Sequence, residues 1–130
     1  MKKIQVMMLM MLTAFMGFAL QSCGSDDDND TRQSFTLSLE IVDKGTMTQE
    51  QYAAVMAMLS QQETSVTVVT TESQAKSTLD NLLIQNKTTF QASVVGNTAK
   101  FTMAYILRNA SGKIVYQRNV EVDGEKVTYN

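Results

Sequence analysis

Residues 4–20 carry no charged side chain, and the acidic residues Asp26, Asp27, Asp28 and Asp30 crowd in just behind them. An unbroken apolar run does not belong on the surface of a globular domain, and a block of like charge repels itself and stays solvated. Together they confine the fold to roughly the last hundred residues, enough for one domain. That stretch contains no proline, so its turns fall to Gly45, Gly96, Gly112 and Gly124, each between periodic segments. A single cysteine, Cys23, leaves no internal disulfide. The chain has no histidine, which excludes catalytic triads of the Ser-His-Asp and Cys-His types and zinc sites built from His and Cys.

The N-terminal segment reads as an address. Lys2 and Lys3 precede the apolar run, which holds Met7, Met8, Met10, Met11 and Met16. This is the charge and length pattern of a secretory signal, to be kept apart from the fold. The run is at the lower edge of what spans a bilayer, and an uncleaved membrane anchor is the alternative.

Leu20-Gln21-Ser22-Cys23 resembles the lipobox of bacterial lipoproteins, with Gln21 a departure from the usual small or aliphatic residue. The resemblance implies that residues 1–22 are removed and that Cys23 is lipidated on its sulfur and acylated on its new amino group. Several acyl chains would anchor firmly, since each buried methylene contributes about 0.8 kcal/mol. The acidic run that follows is similar to the surface-export signal of Bacteroidota-type lipoproteins, with Asp26, Asp27 and Asp28 at its centre. The expected localisation is therefore the outer membrane, lipid-anchored and facing the cell surface. Residues 23–33 form the tether, with a reach of about 35 Å, and residues 34–130 the domain. The acidic cluster lacks the central glycine and distal glutamate of an EF-hand loop, so no calcium site is expected.

Charge follows the same division. From Thr31 onward nine basic residues face nine acidic ones, and a neutral domain has no electrostatic footprint for nucleic acid.

Within the domain, Phe35, Leu37, Leu39 and Ile41 alternate with polar residues and predict a strand. Thr48 with Gln51 forms a capping box behind Met47, and Tyr52, Val55, Met56 and Leu59 continue at helical spacing, predicting a helix over 48–62. Residues 66–69 are β-branched and predict a short strand. Thr71 with Gln74 opens a second helix carrying Ala75, Leu79, Leu82 and Leu83, expected to end near residues 85–87. The last third reads as a four-stranded antiparallel meander over residues 88–95, 98–108, 113–122 and 125–129. Turns at Gly96-Asn97, Asn109-Ala110-Ser111-Gly112 and Asp123-Gly124 set its register. That register pairs Leu107 with Ile114, Tyr105 with Tyr116, Phe101 with Val120 and Val120 with Val127. The expected fold class is α+β: two helices packed on one face of an antiparallel sheet, built from the C-terminal meander plus the N-terminal strand at an edge.

Candidate chemistry is sparse. Arg118 falls on the apolar face between Met103 and Tyr129. Two readings stand: a stem laid along the core edge with its head in water, or a guanidinium held for an anionic ligand. The opposite face is rich in amides and hydroxyls and suits a glycan or protein partner. Glu40, Asp43, Asp80 and Glu121 lie on different elements, no spacing pairs any two, and no Gly-rich phosphate loop is present. The expectation is a non-enzymatic binding or assembly module with no cofactor and no metal, held to the membrane by its lipid anchor. A second class is an inhibitor or sensor module, because two helices followed by a meander resemble beta-lactamase-inhibitor-like and cystatin-like domains in topology. No motif residue carries that resemblance, and fold alone does not fix function. The third class, a hydrolase, needs a carboxylate pair that the spacing does not supply.

Overall fold

The computed structural model describes residues 9–13, 17–18, 32–61 and 64–130. Cys23, Asp26, Asp27, Asp28 and Asp30 lie outside the described residues. The domain is α+β, with elements in the order β1 (Gln33–Asp43), α1 (Gln49–Ser60), β2 (Ser65–Thr70), α2 (Glu72–Ser93), β3 (Lys100–Arg108), β4 (Ile114–Asp123) and β5 (Lys126–Tyr129). The strands form one antiparallel sheet in the order β2-β1-β3-β4-β5. Residues 9–13 and 17–18 are also helical.

β1 is an inner strand rather than the expected edge strand. The short β2 lies outside it, pairing Phe35 with Val68 and Leu37 with Val66, and β3 lies on its other side. This explains why Phe35, Leu37 and Leu39 are almost completely shielded from solvent. The capping box at Thr48 is formed: Gln51 N donates to Thr48 Oγ1 at 3.1 Å, and Thr48 N donates to Gln51 Oε1 at 2.9 Å. α1 turns Val55 and Leu59 inward, while Met56 faces solvent.

The largest departure from the sequence reading lies at residues 88–93. They continue α2 instead of forming a first meander strand, so the meander has three strands, β3-β4-β5. Leu79, Leu83, Phe90 and Val94 keep helical spacing and are all buried. Asn86 and Lys87 interrupt the stripe in sequence without interrupting the helix; Asn86 Nδ2 bonds back to Leu82 O at 2.8 Å. Once a helix is nucleated, each further residue adds a hydrogen bond at small cost. Burial of Phe90 therefore outweighs the weak strand preference of Thr88 and Thr89. Gly96, with φ 87°, turns the chain off the helix rather than closing a hairpin.

In the meander the predicted face is the observed face, but the partners are displaced by two residues. Leu107 pairs with Tyr116, Tyr105 with Arg118, Phe101 with Val122, and Val122 with Val127. The β3–β4 connection is tighter than expected. Asn109 N donates to Lys113 O, and Asn109 Oδ1 accepts from Ser111 N, Ser111 Oγ and Lys113 N. A three-residue loop would by itself turn every β4 side chain to the wrong face. The register break beside Leu107 and Arg108 leaves Val115 as one extra residue on β4 and restores the parity. At the next turn the two-residue loop is Gly124-Glu125, because Asp123 pairs with Lys126.

The core lies between the sheet and α2, with α1 closing one end: Phe35, Leu37, Phe101, Met103, Tyr105, Leu107, Val120 and Val122 face Leu79, Leu83 and Phe90. Met11 and Phe18 belong to the same cluster, each with no exposed surface. In this structure the core therefore extends beyond residues 34–130.

One tight turn is decisive for the β1–α1 connection. Gly45 has φ 55°, and a Cβ there would stand 1.9 Å from Lys100 O. Gly45→Ala should cost about 2–4 kcal/mol, combining left-handed strain with the backbone displacement. Gly112→Ala is the control: φ is 87° but nothing lies within 4 Å, so about 1 kcal/mol is expected. Urea melts of the two variants beside the parent measure the difference, and equal midpoints would contradict the turn geometry.

Candidate functional site

Arg118 stands on the core face of β4 at the rim of the sheet, under α2. Its Nη1 lies 2.5 Å from Asp80 Oδ1 and 3.4 Å from Tyr116 Oη, and its Nε donates to Asn130 O at 3.3 Å. Tyr116 Oη also reaches both Asp80 oxygens, at 2.8 and 2.9 Å. Helical spacing presents Asp80 from α2, and the strand period puts Tyr116 and Arg118 on one face of β4. The hydrogen bond with Tyr116 and the Asp80 carboxylate raise the Arg118 pKa, against the opposing effect of burial. The guanidinium thus holds an internal anion. The stem does line the core edge, but the head is engaged by the protein rather than left to water.

The two side chains of the pair retain 26% and 38% of their surface. They therefore remain partly hydrated, and the pair is expected to contribute about 1 kcal/mol or less. Chemically the cluster is a hydrogen-bonded clamp between α2 and the sheet.

Tyr129 completes this rim. Its hydroxyl donates to Leu83 O at 2.7 Å, and Lys87 Nζ lies 5.9 Å from its ring centre. Burial pushes its pKa up to about 12, while the Arg118 charge pulls the other way.

A second polar group fastens the far end of α2. Asn97 is buried and donates through Nδ2 to Ala99 O at 2.9 Å and to Gly124 O at 2.7 Å, and its Oδ1 accepts from Ala99 N. Gln91 bonds to Glu125 O and accepts from Val127 N at 3.1 Å, and Gly96 N donates to Glu125 Oε2 at 2.6 Å. The residues read from sequence as a hairpin turn are instead a clasp between helix end and β-turn. Gln91 and Ser93, expected on the sheet, are on α2.

The outer face of the sheet is polar. Thr36 and Thr67 hydroxyls meet at 2.9 Å, Arg108 Nη1 reaches Ser38 Oγ at 3.2 Å and Glu40 at 3.5 Å, and Gln117 donates to Asn119 at 3.0 Å. Ile106 sits between Ser38 and Gln117 and is almost fully buried. Two clefts flank the sheet. One of about 340 Å³ lies between β1 and α1, with Leu39, Ile41, Tyr52 and Met56 on its walls and Glu40 and Ser60 on its rim. The other, about 440 Å³, lies along the last turns of α2, between Lys87, Gln91, Val95 and Glu125. Each lining holds a single carboxylate, Glu40 in the first and Glu125 in the second. Among the described residues, no group of three or more acidic, cysteine or histidine side chains could hold a metal ion, and no helix is long and apolar enough to cross a membrane.

The Asp80–Arg118 contact was beyond reach of sequence pattern, because it depends on how α2 lies across the sheet. Arg118 itself was visible as the one charge interrupting an apolar face.

Two measurements check this rim. In a double-mutant cycle of Asp80→Asn and Arg118→Met, followed by urea unfolding, the coupling should be about 1 kcal/mol, given the partial exposure of both groups. A coupling of zero would contradict the clamp. The second is alkaline titration. A folded-state tyrosine pKa above the unfolded value of about 10 stabilises the protein fully below pH 10. That stability is lost as pH rises towards about 12, the Tyr129 value. Tyr105, fully buried and raised well above its ordinary value by desolvation, acts in the same direction. Urea midpoints should be level from pH 8 to about 10 and then fall, less steeply in Tyr129→Phe; an identical slope would contradict the assignment.

No protein-family model, curated protein or solved structure matches this chain.

Proposed function

We propose that this chain is a small lipid-anchored envelope protein, displayed at the outer membrane, whose domain acts as a non-enzymatic binding or assembly module. The observation that carries the proposal is the succession of Lys2-Lys3, an uncharged run, Leu20-Gln21-Ser22-Cys23 and Asp26-Asp27-Asp28. Each part has a separate physical role. The apolar run is suited to membrane targeting, the thiol to thioether formation, and the acidic stretch to an extended solvated tether.

The domain's chemistry supports a binding role over catalysis. The polar groups at its rims are engaged with one another: Asp80 with Arg118 and Tyr116, Glu40 with Arg108, and Asn97 with the β4–β5 turn. Groups arranged in this way fix a surface rather than activate a nucleophile. The outer sheet face, with its threonine, serine and amide side chains, is the surface that fits a glycan or protein partner.

Cys23→Ser should abolish acylation and release the protein from membranes or block its processing, read by intact mass and by membrane fractionation. Replacing Asp26, Asp27 and Asp28 together with alanine should leave acylation intact and reduce cleavage by protease added to whole cells. An intact mass with residues 1–22 still attached in the native host would overturn the lipoprotein reading. Equal proteolysis of both forms would overturn surface export alone.

A further inference from the structure

β2 is an outer strand of the sheet, and one hydrogen bond shows which of its backbone groups are free. Leu39 N donates to Thr64 O at 2.9 Å, and the two residues continue the β1–β2 register of Phe35 with Val68 and Leu37 with Val66. In an antiparallel pair, residues that exchange hydrogen bonds alternate with residues that do not. Val66, Val68 and Thr70 therefore bond to β1, while Ser65, Thr67 and Val69 turn their N–H and C=O groups away from it. Among the described residues, no backbone hydrogen bond reaches these three from the other side, and all three are exposed.

Nothing in the strand guards this edge. Ser65–Thr70 carries neither charge nor proline, and every residue after Ser65 is β-branched. Edges that face water are kept short or are blunted with lysine or proline. β5, at the opposite edge, has four residues and begins with Lys126. β2 has no such device and is a template for another strand.

The symmetry of the edge selects that strand. We propose that β2 pairs antiparallel with the β2 of a second copy of this chain, about a two-fold axis at Thr67, joining two sheets into one. With Thr67 opposite Thr67 of the copy and Ser65 opposite Val69, every outward N–H and C=O of the strand finds a partner. An axis at Val68 would set Ser65 against Thr71, whose carbonyl already accepts from Ala75 N in α2. An axis at Val66 would carry Val69 past the end of the strand. The side chains agree with the axis at Thr67. The Thr36 and Thr67 hydroxyls meet at 2.9 Å on the outer face, and the two-fold continues that row into Thr67 and Thr36 of the copy. On the core face, half-buried Val66 lies opposite buried Val68 of the copy, so the apolar surface runs across the junction. Such a contact is self-complementary, and an uncharged strand brings no like charges together. A single strand pair is a small interface, so the dimer dissociates on dilution.

The test uses the full chain in mild detergent with Cys23→Ser, so that an introduced thiol is the only one. Sedimentation should show a monomer–dimer equilibrium that shifts to monomer on dilution. Thr67→Lys and Thr67→Asp should each weaken dimerisation roughly tenfold or more, because like charges then meet on the axis, with the far-ultraviolet circular dichroism unchanged. An equimolar mixture of the two variants should dimerise again. Under a copper oxidant, Thr67→Cys should cross-link to itself, and Ser65→Cys should cross-link to Val69→Cys faster than either does to itself. A chain that is monomeric at every concentration would overturn the proposal, as would a dimer that neither charged variant weakens. Faster cross-linking of Ser65→Cys to itself than to Val69→Cys would overturn the axis at Thr67. Cross-linking of Thr67→Cys in host cells to a different protein, and not to itself, would overturn the second copy in favour of a partner's strand. The lipidation of Cys23 enters none of these measurements.

Discussion

The apolar face of the sheet and the helix laid across it set the terms for the rest of the molecule. Three of the five strands, β1, β3 and β4, bring Phe35, Leu37, Phe101, Met103, Tyr105, Leu107, Val120 and Val122 to one side. A sheet with such a face is unstable until something covers it. α2 supplies the cover through Leu79, Leu83 and Phe90, and its 22 residues extend far enough to reach from Asp80 at the β4 rim to Gln91 at the β4–β5 turn. Without disulfides or proline, the orientation of that helix is set by packing and by polar attachments, among them Asp80 near its middle and Gln91 and Asn97 at its C-terminal end.

The attachments differ in character. The Asn97 clasp is buried, and a buried amide that lost its partners would incur a full desolvation penalty, so this end is specified strictly. The Asp80–Arg118–Tyr116 clamp is partly hydrated, so it orients the helix at modest energetic cost. Between them the helix is held in register against strands that are themselves displaced by a bulge. The bulge next to Leu107 and Arg108 is what allows a short, Asn109-buttressed loop to coexist with an apolar β4 face.

Much of this was legible from residue order. Strand alternation identified β1, β3, β4 and β5 and the correct face of each, and the Thr48 and Thr71 caps marked both helix starts. The parity of a strand is robust because a one-residue slip would move the whole apolar set into water. A two-residue slip leaves every side chain on its own face, so pattern alone could not exclude it, and the observed pairs differ from the predicted ones by that amount. The end of α2 was misread because Asn86 and Lys87 break the apolar stripe and Thr88 and Thr89 favour strands. Only the tertiary burial of Phe90 and Val94 decides that segment. The partner of Arg118 was invisible for the same reason: a contact between residues 80 and 118 follows from the helix's position on the sheet. The lipoprotein proposal for Cys23 and the acidic run, by contrast, rests on sequence order alone.

The central structural claim is that residues 88–93 belong to the helix covering the sheet. The most direct test is the backbone Cα chemical shift of these residues in solution, with nuclear Overhauser contacts from the Phe90 ring. The structure predicts helical shifts continuing without a break from Glu72 to Ser93, and contacts from Phe90 into the core face of the sheet. Extended shifts at residues 88–93, with cross-strand contacts from Val94 to Ala99 and from Phe90 to Met103, would contradict it and restore the four-stranded meander.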